Sequence, residues 1–230
     1  MTTRIYLGLH GALSIDEGLK GVMKSNEILD QLGKDLGGPV HDWPAATHSN
    51  ASSLHATSSK PGAGEPMYLP TIAVLYLIEQ INKAKDKVSI RLFGWSTGAI
   101  MLCEVARGLR TCPEIDKSQR KVDLCFAIDP LWSLAAINVY PTIPANIARW
   151  VCVRQNRDGN KQPTLNPLNP KFWQGVRLRT GSDKTRYDEI NVPTGKVVGD
   201  PGFSIATDPD VTHGKMPGVA RRAAFTLLSA

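Results

Sequence analysis

Apolar and polar positions along the chain fall into blocks that read alternately as strands and helices. Residues 4–13 open on an apolar run that reaches His10-Gly11, the pattern of a strand buried on both faces. Ser14-Ile-Asp-Glu17 has the spacing of a capping box, which predicts a helix start. Leu19, Val22, Met23, Leu29 and Leu32 carry its stripe to a stop at Gly37-Gly38, with Gly18, Gly21 and Gly33 weakening it. Residues 39–43 predict a short second strand, and residues 69–85 a strong helix on which Ile72, Leu75, Tyr76, Ile78, Glu79 and Asn82 trace the turns, with Pro70 in its first turn. A strand from Val88, a helix from Thr97 to about residue 110, and strands over 121–128 and 147–154 follow. The last firm element is a helix over 217–228.

Two stretches break this rhythm. Residues 44–66 are rich in Ala, Ser, Thr, Gly and Pro and lack periodicity, so they predict a long flexible loop or flap. Residues 160–209 read as a loop-rich insertion with short extended candidates at 176–179 and 196–198. His41, His48 and His55 lie in or beside the first stretch at spacings that hold no metal, and are expected at the surface. Asn50-Ala-Ser52 is a glycosylation sequon, without consequence unless the chain is secreted.

Strands alternating with helices predict an α/β fold: three layers, a mostly parallel central sheet and helices on both faces, in a single domain over 1–230. The chain has 230 residues, enough for one such core and short for two. No apolar run approaches bilayer length, and the first residues lack a signal-peptide core, so a cytoplasmic protein is expected, with signal-less export as the other route. The four cysteines show no C-x-x-C pair or metal spacing and are expected to be buried free thiols, although a Cys103–Cys112 bridge is compatible with the sequence. A net charge of +6 suits an anionic partner such as a membrane surface, and equally suits solubility alone. The basic residues are scattered and lack aromatic interleaving, so nucleic acid is not an expected partner.

The chemistry concentrates at Gly94-Trp95-Ser96-Thr97-Gly98. Val88, Ile90, Leu92 and Phe93 form an apolar strand before it. Ala99, Ile100, Leu102, Cys103, Val105 and Ala106 form a helical face after it. A G-x-S-x-G turn between strand and helix resembles the nucleophile elbow of the α/β-hydrolase superfamily, where a sharp turn lifts a serine hydroxyl clear of the sheet. Ligands of such sheets bind at the carboxyl ends of the strands, which selects His10, Ser96, Asp129 and Asp158.

A serine hydroxyl needs an imidazole to take its proton, and the imidazole needs a carboxylate to fix its tautomer. His213 is the one histidine after the elbow, so the order Ser96, Asp, His213 matches that superfamily. Two acids stay open. Asp158 holds the commoner place, after the second strand beyond the elbow strand. Asp129 ends an apolar strand, which better meets the need for a buried, oriented carboxylate. The oxyanion donors are expected from the backbone of Thr97 and from Gly11 or Ala12, with His10 and Trp95 beside substrate; Trp95 is equally readable as packing. No metal or other cofactor is expected.

His10-Gly11 is similar to the start of the oxyanion loop of lipases and esterases, without its further glycines. In size, and in Gly94-Trp-Ser-Thr-Gly-Ala99, the chain resembles cutinases, whose elbow reads Gly-Tyr-Ser-Gln-Gly-Ala; cutinases are secreted and disulfide-bonded, which this chain does not resemble. The elbow and the strand ending in Asp129 also resemble type VI secretion phospholipase effectors, which carry Gly-Phe-Ser-Arg-Gly-Ala; here Thr97 stands in place of their arginine. Both resemblances imply a serine esterase or lipase acting on a small-molecule, lipid or phospholipid ester through an acyl-enzyme. The alternative is a non-catalytic hydrolase-fold binding protein using its long loops. A nucleotide-binding protein is disfavoured, since the chain has neither G-x-x-x-x-G-K-[ST] nor G-x-G-x-x-G.

Overall fold

A computed structural model describes residues 2–11, 18–46, 71–131, 141–155, 175–192, 196–198 and 211–230. The strands are β1 (Thr2–Leu9), β2 (Val40–His41), β3 (Lys87–Trp95), β4 (Val122–Ile128), β5 (Ile147–Gln155), β6 (Arg186–Val192) and β7 (Lys196–Val198). The helices are α1 (Gly18–Leu36), α2 (Ile72–Lys83), α3 (Thr97–Thr111) and α4 (Met216–Ser229). The fold is α/β. One sheet runs β2-β1-β3-β4-β5-β6-β7, with the first six strands parallel and β7 antiparallel to β6.

The central strands read as continuous apolar runs because both of their faces are covered. Ile5, Leu7, Leu9, Ile90, Leu92, Cys125 and Cys152 pack with α2 and α3 on one face. Phe93, Trp95, Phe126, Ile128 and Val153 pack with Leu29 and Leu32 of α1 and with α4 on the other. Helix α1 ends where Gly37 takes φ 78° and the Gly38 N–H reaches back 2.9 Å to the Gly33 carbonyl, so a left-handed residue stops the helix. Arg4 and Arg91 donate to the carbonyls of Leu228, Ser229 and Ala230, placing positive charge at the negative end of α4.

Several elements differ from the expectations. Helix α2 begins at Ile72, after Thr71, whose hydroxyl accepts from the Val74 N–H. Its buried face is Ala73, Val74, Leu77, Ile78 and Ile81, while Ile72 is 64% and Leu75 47% exposed. The inward side is fixed by α3, where Gly108 leaves room for Val74. Residues 43–46 form a 3-10 turn rather than the start of a loop. His41 is half-buried, edge-on to Tyr76 at 6.1 Å between ring centroids, rather than at the surface.

The main omission is β6, a full parallel strand inside the stretch read as loop-rich. Its Asp188 and Glu189 mimic a surface segment but are buried. Arg149 on β5 and Arg186 pair with Asp188, and Arg154 on β5 pairs with Glu189. The capping box at 14–17, His48, the sequon at Asn50, His55 and most of residues 44–66 lie outside the described residues. Among the described residues no helix is long and apolar enough to cross a membrane.

All four cysteines are free and buried. Burial pushes the Cys152 thiol up to about 12 and raises those of Cys103 and Cys125 further from the thiolate range. The native protein is therefore expected to react with Ellman's reagent at neutral pH only through unfolding, roughly a thousandfold or more slower than the denatured chain. Rapid titration of these thiols in the native state would contradict this packing.

Candidate active site

The strand order reverses between β1 and β3, because β2 lies outside β1 while β4, β5 and β6 follow β3 on the other side. Such a reversal opens a crevice at the carboxyl ends of the strands. The residues that leave β1, β3, β4 and β5 there are His10, Ser96, Asp129 and the last residue of β5, Gln155.

Ser96 occupies the single turn residue between β3 and α3, with φ 56° and ψ −125°. This region is sparsely populated by L-residues and costs on the order of 1–3 kcal/mol, so the surrounding packing must hold it. The flanking glycines explain how the turn fits. A Cβ on Gly94 would lie 2.8 Å from the Gly98 carbonyl carbon, and one on Gly98 would strike the carbonyl oxygens of Leu9 and His10. Both obstacles are backbone. Gly98→Ala is therefore expected to destabilise the protein by about 1–3 kcal/mol, the range for overpacking, read as a lower urea midpoint at unchanged m-value.

Ser96, His213 and Asp129 form one chain of hydrogen bonds. His213 Nε2 lies 2.9 Å from Ser96 Oγ, and His213 Nδ1 lies 2.6 Å from Asp129 Oδ2. All three residues are buried. Asp129 is locked from its other side, where Oδ1 accepts the backbone N–H of Gln155 at 2.9 Å and of Gly175 at 2.8 Å. With Oδ1 so occupied, the carboxylate presents Oδ2 as an acceptor, which places hydrogen on Nδ1 and leaves the Nε2 lone pair for the serine hydroxyl. Asp129 also has a positive φ of 43°. Gly175 passes so close that a Cβ there would strike Asp129.

The loop carrying His213 is held through its carbonyls. Gln155 Nε2 donates to Val211 O at 2.8 Å, Trp95 Nε1 to His213 O at 3.2 Å, and Ser25 Oγ to Gly214 O at 2.7 Å. The Trp95 and His213 rings lie 5.1 Å apart at 31°. Of the two readings of Trp95, this buried contact is the packing one.

The other expected residues take these places. Thr97 is the first residue of α3, at the positive end of that helix, and its hydroxyl donates to Leu131 O at 3.2 Å. Gly11 is buried against the elbow, where a Cβ would come 3.1 Å from the Ser96 Cβ. His10 directs Nε2 to Asp30 and Nδ1 to Asp42, each at 3.0 Å, so both ring nitrogens are engaged. Ala12 and Asp158 lie outside the described residues.

Sequence reasoning missed Gln155, Gly175 and Ser25. Gln155 had a usable signal, a polar residue closing an apolar strand at its carboxyl end, as Asp129 does. Gly175 and Ser25 reach the site only through tertiary contacts. Among the described residues no group of His, Cys, Asp and Glu is arranged to hold a metal ion. No family model matches this chain, and no curated protein matches it either.

Proposed function

We propose that this protein is a serine hydrolase of the α/β-hydrolase type that cleaves a carboxylic ester through an acyl-enzyme on Ser96. The observation that carries the reading is the unbroken hydrogen-bond chain from Ser96 Oγ through His213 to Asp129, with the serine on a strained strand-to-helix turn. The chemistry follows from those atoms. His213 Nε2 takes the hydroxyl proton as Oγ attacks the ester carbonyl, and Asp129 stabilises the imidazolium that forms. The oxyanion then develops beside the positive end of α3, where the Thr97 amide and an amide near Gly11 are the proposed donors. His213 returns its proton to the departing alkoxide, and water repeats the cycle to release the acid. Three of the cysteines do not compete as nucleophiles, since burial holds the Cys103, Cys125 and Cys152 thiols protonated.

The substrates this reading admits include lipid and phospholipid esters, for which the net charge of +6 would favour an anionic surface. Hydrolysis of p-nitrophenyl butyrate and palmitate by the wild type tests the reaction class and compares short with long acyl chains. Turnover that follows the concentration of folded protein is the expected result. Absence of turnover on every ester, together with an unreactive serine, would favour a non-catalytic protein on the same fold.

A further inference from the structure

We propose that Gln155 is a positioning residue that fixes the acid and the base of this site relative to each other; the proposal rests on the hydrolase reading for its effect on rate. Gln155 touches both partners. Its backbone N–H donates to Asp129 Oδ1 at 2.9 Å, and its side-chain amide donates to Val211 O at 2.8 Å, two residues before His213. Trp95 and Ser25 also hold the His213 loop, but their hydrogen bonds described above go to that loop and not to the acid. The anchor is stiff, because Gln155 closes β5, which is paired with β4 on one side and β6 on the other. Asp129 leaves β4 beside it, its own N–H bonded to the Val153 carbonyl.

The polar side chain is costly where it stands. Gln155 is 1% exposed, and its Oε1 has no hydrogen-bond partner among the described residues. A buried amide with an unmet acceptor is a poor choice for packing alone, where an apolar side chain of similar volume does as well or better. What the amide supplies is a directed donor to the loop that carries the base. A displacement of about 1 Å in such a group is enough to cost roughly a hundredfold in rate.

The test is Gln155→Met, which keeps the volume and the backbone N–H while deleting the donor. Gln155→Asn, one methylene too short to reach Val211, carries the same expectation where Gln155→Met fails to fold. Three quantities are read: the urea midpoint, kcat and KM on p-nitrophenyl butyrate, and the far-downfield proton resonance of His213 Nδ1–H against Asp129. The expected result is an unchanged or higher midpoint for Gln155→Met, unchanged KM, kcat lower by roughly 10- to 100-fold, and a displaced or exchange-broadened resonance. A kcat and a resonance both like wild type would overturn the proposal, as would a rate loss fully accounted for by unfolded protein. The resonance separates this proposal from the reading beneath it. If the wild type turns over no ester, a resonance that moves in Gln155→Met still supports the positioning role while the hydrolase reading fails, and a resonance that stays overturns both.

Discussion

Ser96→Ala is expected to lower kcat for ester hydrolysis by roughly four to six orders of magnitude with little change in KM. In the proposed mechanism the hydroxyl is the atom that forms the acyl-enzyme, and it stands 2.9 Å from His213 Nε2. Truncation to alanine removes that atom while leaving binding contacts and the proposed oxyanion donors in place, so the residual rate reports those two contributions. The fold should change little, because the truncation deletes one buried hydroxyl that bonds within the site and leaves an intact His213–Asp129 pair behind. An unchanged midpoint with a collapsed kcat is therefore the signature. A loss below about tenfold would mean that another nucleophile, or bulk hydroxide, performs the reaction.

Asp129→Asn is the second large effect, with kcat expected to fall by about 10⁴-fold. The asparagine is nearly isosteric, and its carbonyl oxygen can keep both backbone N–H donors of Gln155 and Gly175. Its amide nitrogen then faces His213 Nδ1 as a donor. The imidazole is forced to accept there and to carry its hydrogen on Nε2, pointing at Ser96 Oγ. In that tautomer the ring cannot take the hydroxyl proton. The control is Asp158→Asn, expected to change kcat by less than about tenfold, since His213 Nδ1 keeps its bond to Asp129 Oδ2 and with it the tautomer. The reverse ranking of the two variants would assign the acid to Asp158 and reduce Asp129 to a structural carboxylate.

How far these residues were legible in the sequence depends on the range of the forces that place them. The elbow was legible because its constraints are local: a glycine on each side of Ser96 relieves backbone contacts within one turn, and the apolar blocks before and after it set strand and helix. The parallel order of the sheet followed from the alternation of such blocks. Strand β6 was not legible, because Asp188 and Glu189 pair with arginines on β5 that lie 39 and 35 residues earlier in the chain, and pattern alone prices them as exposed. The inward face of α2 was not legible for a related reason, since Gly108 on another helix makes room for Val74. The acid was narrowed by local pattern to Asp129 or Asp158. Its two backbone donors and its 2.6 Å contact with His213 come from segments 26, 46 and 84 residues away. Gln155 belongs to the same class of feature, a local signal whose meaning is tertiary.

Whether Ser96 is an activated nucleophile is read by covalent labelling with a fluorophosphonate followed by peptide mass spectrometry. The probe needs no knowledge of the natural ester, because it reacts with any serine whose proton is taken by a correctly placed base. The expected result is stoichiometric modification confined to the peptide bearing Ser96, slowed in Asp129→Asn and lost in both Ser96→Ala and denatured protein. Folded wild-type protein that stays unmodified, or that is modified at another serine while Ser96 remains free, would contradict it.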